Sequence, residues 1–149
     1  MTETVAFSNS NVMHLMSPSV RNPVVSSNAE CHRLIERGMP IAFADAVKSS
    51  LSVSDAVMAD LLGISEKTLS RMRLARGHLD STVSDRLFRV AKIVALAVYV
   101  LESKEAGTQW LKRPQIGLGG ETPISLLTTE AGTEEVEQLL LRIEHGVYS

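Results

Sequence analysis

Apolar residues fall at helical spacing from Asn28 onward. Ala29, Leu34 and Ile35 begin the pattern, Gly38-Met39-Pro40 interrupts it, and a second helix is expected over Ile41 to about Ser49. A helix-turn-helix follows over Asp55 to Leu74. Gly77 to Ser81 forms a turn, and Ser81 or Thr82 is positioned to cap a long helix from Val83 to about Glu102. That helix carries Leu87, Val90, Ala91, Val94, Leu96, Ala97, Val98, Val100 and Leu101, with almost no polar face after Lys92. A helix apolar nearly all round is buried on several sides, either between two halves of one chain or against a second copy. Beyond it, Pro114, Gly117, Gly119 and Gly120 interrupt regular helix; Thr122 and Pro123 begin a short helix through Leu127, and Gly132-Thr133 restart the chain into a last one. Val136, Leu139, Leu140 and Ile143 line one face of that helix, which Gly146 ends. Before Asn28 the chain is rich in Ser, Asn, Thr and Val with Pro18 and Pro23, and shows no sustained period. It reads as a flexible or partly extended arm suited to self-association, with a short strand or helical turn open to Val12–Met16.

The residues of the helix-turn-helix each have a physical reason. Ala59 is small where two helices cross, and Gly63 accommodates a left-handed backbone where the first helix ends. Ile64 fills the turn, Leu69 and Met72 pack inward, Ser65 caps the second helix, and Glu66 suits the positive end of its dipole. An ordinary helical hairpin is the alternative. DNA binding is favoured by the outward residues Ser65, Lys67, Thr68, Ser70, Arg71, Arg73 and Arg76, before Gly77 ends the helix. Lys67, Ser70 and Arg71 stand where base edges are read, and Arg73 and Arg76 where phosphates are met. For any one of them a solvated basic face is the alternative.

Charge sharpens the division. The whole chain has net charge −2. Between Ser65 and Lys92, however, seven basic residues face three acidic ones, and between Glu102 and Ser149 eight acidic residues face four basic ones. A basic middle and an acidic last third imply two surfaces with different partners. A single cysteine, Cys31, excludes an internal disulfide and reads as a small buried hydrophobe in a reducing, cytoplasmic setting. No signal-peptide pattern begins the chain, and the longest apolar run, Ile93 to Leu101, is too short for a bilayer, so no membrane partner is expected.

No catalytic, metal or cofactor site stands out. His14, His32, His78 and His145 are scattered, and only His32 adjoins Cys31. Glu134, Glu135 and Glu137 lie near the start of the last helix, where negative charge suits the dipole. Gly119-Gly120 lacks the preceding strand and following Lys-Ser or Lys-Thr of a phosphate loop, and reads as a turn. Trp110 is either core of the last third or an interface anchor.

The last third is similar to a known family. Trp110-Leu111, Pro114, Leu118-Gly119-Gly120, Thr122-Pro123-Ile124-Ser125-Leu126-Leu127, Thr129, Gly132, Val136, Leu140, Arg142-Ile143 and His145-Gly146-Val147 resemble the toxin-binding domain of Xre/MbcA/ParS-type antitoxins. With the Xre-like helix-turn-helix, the resemblance covers about Asn28 to Ser149. It implies a bacterial type II antitoxin without enzymatic activity, which neutralises a RES-domain toxin that consumes NAD or transfers from it, and represses its own operon. It further implies toxin contact through Arg142, Glu144, His145, Gly146, Val147, Tyr148 and Ser149 and parts of Trp110 to Gly120, the terminal segment covering the toxin's NAD pocket. Tyr148 as an aromatic anchor, Glu144 and the terminal carboxylate suit a concave cationic site; a frayed terminus is the bland alternative.

The expected architecture is all-α: an arm over residues 1–27, an Xre/Cro-like helix-turn-helix domain over 28–81, a connecting and dimerising helix over 82–104, and a small helical toxin-binding domain over 105–149. The expected partners are operator DNA, the toxin, and further copies in a homodimer or higher oligomer. The rival is a stand-alone transcriptional regulator whose last domain oligomerises or senses a small molecule.

Overall fold

Six helix starts along the chain are fixed by side chains that accept otherwise unpaired backbone N–H groups. Ser27 accepts from Glu30, Ser54 from Val57, Ser65 from Thr68, Asp80 from Val83, Ser103 from Ala106 and Thr129 from Gly132. Each such cap contributes about 1 kcal/mol. In the computed structural model, which describes residues 7–17 and 27–146, they punctuate nine α-helices. These are α1 (Asn9–Met16), α2 (Asn28–Arg37), α3 (Ile41–Leu51), α4 (Asp55–Leu62), α5 (Glu66–Ala75), α6 (Ser81–Val100), α7 (Lys104–Leu111), α8 (Pro123–Leu126) and α9 (Glu130–Glu144), with a 3₁₀ turn at Ile116–Leu118. Among the described residues the only extended pairing is an antiparallel bridge between Pro40 and His78. The fold is all-α, as expected.

Helix α6 is the axis. Val83, Ser84, Leu87, Val90, Ala91 and all five residues from Ile93 to Ala97 are buried, and α1, α2, α3, α4, α7 and α9 all pack on it. Much of its apolar surface is therefore covered by its own chain, the first of the two kinds of burial that its composition allows. At its N-terminal end Ser84 Oγ, fully buried, accepts from the Met39 N–H at 2.8 Å and donates to the Leu79 carbonyl at 3.3 Å. The loop before α3 and the turn before α6 are thereby stitched together, with Leu79 N–H on the Met39 carbonyl and Ile41 N–H on the Gly77 carbonyl.

Several local expectations are corrected. Within residues 1–27, the segment Asn9–Met16 is a helix whose Val12, Met13 and Met16 join the main core, the helical alternative open to that stretch. Asp80, not Ser81 or Thr82, caps α6, which ends at Val100 with Glu102 left-handed at φ 58°. Thr122 makes no side-chain cap, although Pro123 begins α8 as expected. Thr129 starts α9, so Gly132 lies inside its first turn, where a Cβ would collide with the Leu126 carbonyl oxygen. Arg76, not Gly77, takes the left-handed position after α5, at φ 49°.

Helix α7 was not among the expected elements. It lies against α6 through Gly107, whose absent side chain lets the backbones meet: a Cβ there would stand 2.7 Å from Val98 N and 2.8 Å from Val98 Cα. Gly107→Ala is therefore expected to destabilise the fold by about 1–3 kcal/mol through overpacking. Urea denaturation measures this, and an unchanged midpoint would show that α7 does not need this close approach.

Candidate functional site

The α4–turn–α5 unit is held from inside by Met58, Ala59, Leu61, Leu62 and Leu69, all buried, with Ile64 and Met72 half-buried against them. Gly63 ends α4 with φ 69°, as its position required. It also meets α6, because a Cβ would lie 2.7 Å from Arg86 Nη1, which donates to the Leu62 carbonyl at 3.2 Å. The turn is thus seated on the central helix by a guanidinium.

Seven residues were expected to meet DNA, and the fold separates them. Lys67, Ser70, Arg71 and Arg76 are exposed, and no side-chain hydrogen bond or ion pair among the described residues engages them. Ser65 and Thr68 have local duties: Ser65 Oγ accepts from the Thr68 N–H at 3.0 Å and donates to Thr68 Oγ1 at 2.9 Å. Arg73 points elsewhere. Its Nε and Nη2 donate to Asp45 Oδ1 at 3.0 and 2.8 Å, and its Nη1 and Nη2 to Asp55 Oδ2 and Oδ1 at 3.1 and 3.0 Å. Lys48 Nζ adds a further contact to Asp55 at 3.4 Å. A guanidinium forked between two carboxylates is neutralised, so Arg73 ties α5 to α3 and α4 instead of presenting free charge to a phosphate.

Leu74, absent from the expected set, is 87% exposed. At 100° per residue it projects between Ser70 and Arg71 and nearly in line with Lys67, at the centre of the outward face. Its signal was present in the spacing, seven residues after Lys67.

In the last third, Leu111, Leu127, Val136 and Leu140 are fully buried and Leu118 nearly so, while Trp110 packs half-buried against this core. Lys92 pairs with Glu137 at 3.4 Å and clamps α9 to α6. Arg142, Glu144, His145 and Gly146 are exposed at the end of α9, with Gly146 left-handed at φ 68°. Val147, Tyr148 and Ser149 lie outside the described residues. Among the described residues, Ile116 is the most exposed large apolar side chain, at 99%. No sequence signal singles it out, since one isoleucine beside glycines has no periodicity.

A cavity of about 790 Å³ opens beside α1, α3 and α6, lined by Asn11, His14, Leu15, Ser49, Val98 and Tyr99 among others. It contains none of the expected site residues. Cys31 is buried, and burial, assisted by the charge of Glu30, pushes its thiol pKa up, which keeps it protonated and unreactive. Among the described residues no cluster of His, Cys, Asp and Glu is arranged to hold a metal, and no helix is long and apolar enough to cross a membrane.

Comparison with known proteins accounts for both regions. Residues 31–92 match the antitoxin Xre-like helix-turn-helix domain, and residues 96–146 match the antitoxin Xre/MbcA/ParS C-terminal toxin-binding domain. An antitoxin Xre from Photorhabdus laumondii is 31% identical over 125 residues, covering 83% of this chain and 84% of its own. Another, from Yersinia enterocolitica, is 33% identical over 116 residues, covering 77% and 78% respectively. A protein of Sphingobium sp. named Prs ADP-ribosylating antitoxin is 29% identical over 125 residues, covering 78% and 79%. The fold and its two sites thus define a toxin–antitoxin antitoxin with a helix-turn-helix and a toxin-binding domain. The chain belongs to the Xre antitoxin family.

The Asp45–Arg73–Asp55 network gives a pH signature. The hydrogen bond from Arg73 is the largest influence holding the Asp55 carboxyl below the usual range; burial opposes it, and the charges of Arg73 and Lys48 reinforce it. A carboxyl depressed in the folded state contributes stability that is complete above its unfolded-state pKa and lost as pH falls through the folded-state value. Asp55→Asn should therefore melt below wild type at neutral pH, with the gap closing once pH drops beneath the ordinary aspartate range. A gap that persisted unchanged into that acid range would contradict the assignment.

Proposed function

We propose that this chain neutralises a RES-domain toxin that uses NAD, and that its helix-turn-helix represses the operon encoding both proteins. The toxin-binding match over residues 96–146 carries the first part. The name of the Sphingobium relative supports it, since ADP-ribosyl transfer draws chemically on NAD. The chain itself acts by occupation, not by chemistry: α9 and the exposed Arg142, Glu144, His145 and Gly146 lead into Val147-Tyr148-Ser149, which enters the toxin's NAD pocket. An aromatic side chain fills an apolar recess there, and the Glu144 carboxylate meets cationic groups that otherwise receive pyrophosphate.

For operator binding the helix α5 lies in the major groove. Lys67, Ser70 and Arg71 face base edges, Leu74 between them offers an apolar contact to a thymine methyl, and Arg76 meets phosphate. The Arg73 fork fixes the angle at which this face is presented.

Removing Gly146 to Ser149 is expected to leave operator binding and helix content intact while abolishing rescue from the co-expressed toxin. Full rescue would eliminate the pocket-covering mechanism. Arg71→Ala should weaken operator binding by about 1–3 kcal/mol and relax specificity at one base pair. Titration of operator and scrambled duplexes at fixed salt checks this, and equal loss on both duplexes would reassign Arg71 to the phosphates.

A further inference from the structure

We infer that Ile116 is the apolar anchor by which the last domain grips its toxin, a role that rests on the toxin-binding reading above. A large β-branched side chain that is 99% exposed gains nothing for the free chain, whose core is filled without it. The loop that carries it is nevertheless closely tied. Gln115 N–H donates to the Glu121 carbonyl at 3.0 Å and Gly120 N–H to the Gln115 carbonyl at 2.9 Å, closing a ring around the 3₁₀ turn. The Gln115 side-chain amide donates to the Trp110 and Arg113 carbonyls, each at 3.1 Å. Beneath the tip, Leu118 is buried, and Gly117 rests on Leu139 of α9, where a Cβ would stand 3.0 Å from Leu139 Cδ1.

This arrangement holds one hydrophobic side chain outward on a preordered scaffold. Little loop entropy remains to be lost when a partner covers it, which is the condition for a strong anchor. Gly119 and Gly120, left-handed at φ 67° and 86°, have no atom within 4 Å of where a Cβ would stand, so the loop after Ile116 faces open space. A partner can therefore enclose the isoleucine on that side. Exposed Lys112 and Arg113 supply a polar rim.

The position identifies the occupant. Gly117 contacts Leu139, and Arg142 lies one turn further along the same side of α9, exposed. Ile116 is therefore continuous with the end of α9 that leads into the toxin pocket. On this reading the isoleucine seats in an apolar socket of the toxin, beside the surface that meets the exposed end of α9.

The test uses the full chain and the toxin encoded beside it, with Ile116→Asp and Ile116→Ala compared by calorimetric titration, operator binding and sedimentation. Ile116→Asp should raise the toxin Kd about thirty-fold or more, with Ile116→Ala intermediate. Helix content, thermal midpoint and operator affinity should match wild type, because the side chain makes no internal contact to lose. Wild-type affinity retained in Ile116→Asp would overturn the anchor while leaving the toxin-binding reading intact. If wild type itself failed to bind that toxin, the underlying reading would fail. An Ile116→Asp chain that lost self-association but kept toxin affinity would assign the isoleucine to a second copy and overturn the proposal.

Discussion

Helix α6 has half of its twenty residues buried, and the covering comes from helices both before and after it in sequence. A helix so apolar is stable in water only when wrapped. The need to wrap it decides the placement of both functional surfaces. The helix-turn-helix seats on its N-terminal half through Gly63 and Arg86, and the last domain closes on it through Gly107 against Val98 and through the Lys92–Glu137 pair. Each fully buried leucine or isoleucine along this axis contributes about 1.5–3 kcal/mol, far more than any surface ion pair around it.

Electrostatics does a different job. The Arg73 fork on Asp45 and Asp55 is half-exposed, so it adds modestly to stability but strongly constrains angle, since both carboxylates are held by planar, directional contacts. With Arg73 engaged by Asp45 and Asp55, Lys67, Arg71 and Arg76 remain as the exposed cations of α5 and its end, with Leu74 among them. The outward face is therefore less basic and more apolar than residue type alone suggests.

Elements with strong local chemistry were legible in the sequence. The α4–turn–α5 unit, the cap at Ser65, the left-handed Gly63 and the end of α9 at Gly146 all follow from residue type and spacing. The elements that escaped are those whose cause is tertiary. Helix α1 is too short to show a period and is helical because α3 and α6 bury Val12, Met13 and Met16. Helix α7 carries a glycine that argues against helix locally and is required by backbone contact with α6. Arg73 looked like a phosphate contact because sequence spacing cannot show Asp45 across the fold, 28 residues away. Ile116 carries no pattern at all, and only its exposure in the folded chain marks it. The family resemblance named the last domain, but it could not say which side chains of that domain are free to meet a partner.

The central claim is that one chain carries two separate working surfaces, α5 for operator DNA and the 111–120 loop with the end of α9 for the toxin. Hydrogen exchange resolved by residue, on the chain alone, with its cognate toxin and with a candidate operator duplex, tests this most directly. The toxin is predicted to slow exchange in the 111–120 loop and the last turns of α9 while leaving α5 unchanged, and the duplex to protect α5 alone. Protection of α5 by the toxin, or none in the last third, would contradict the account.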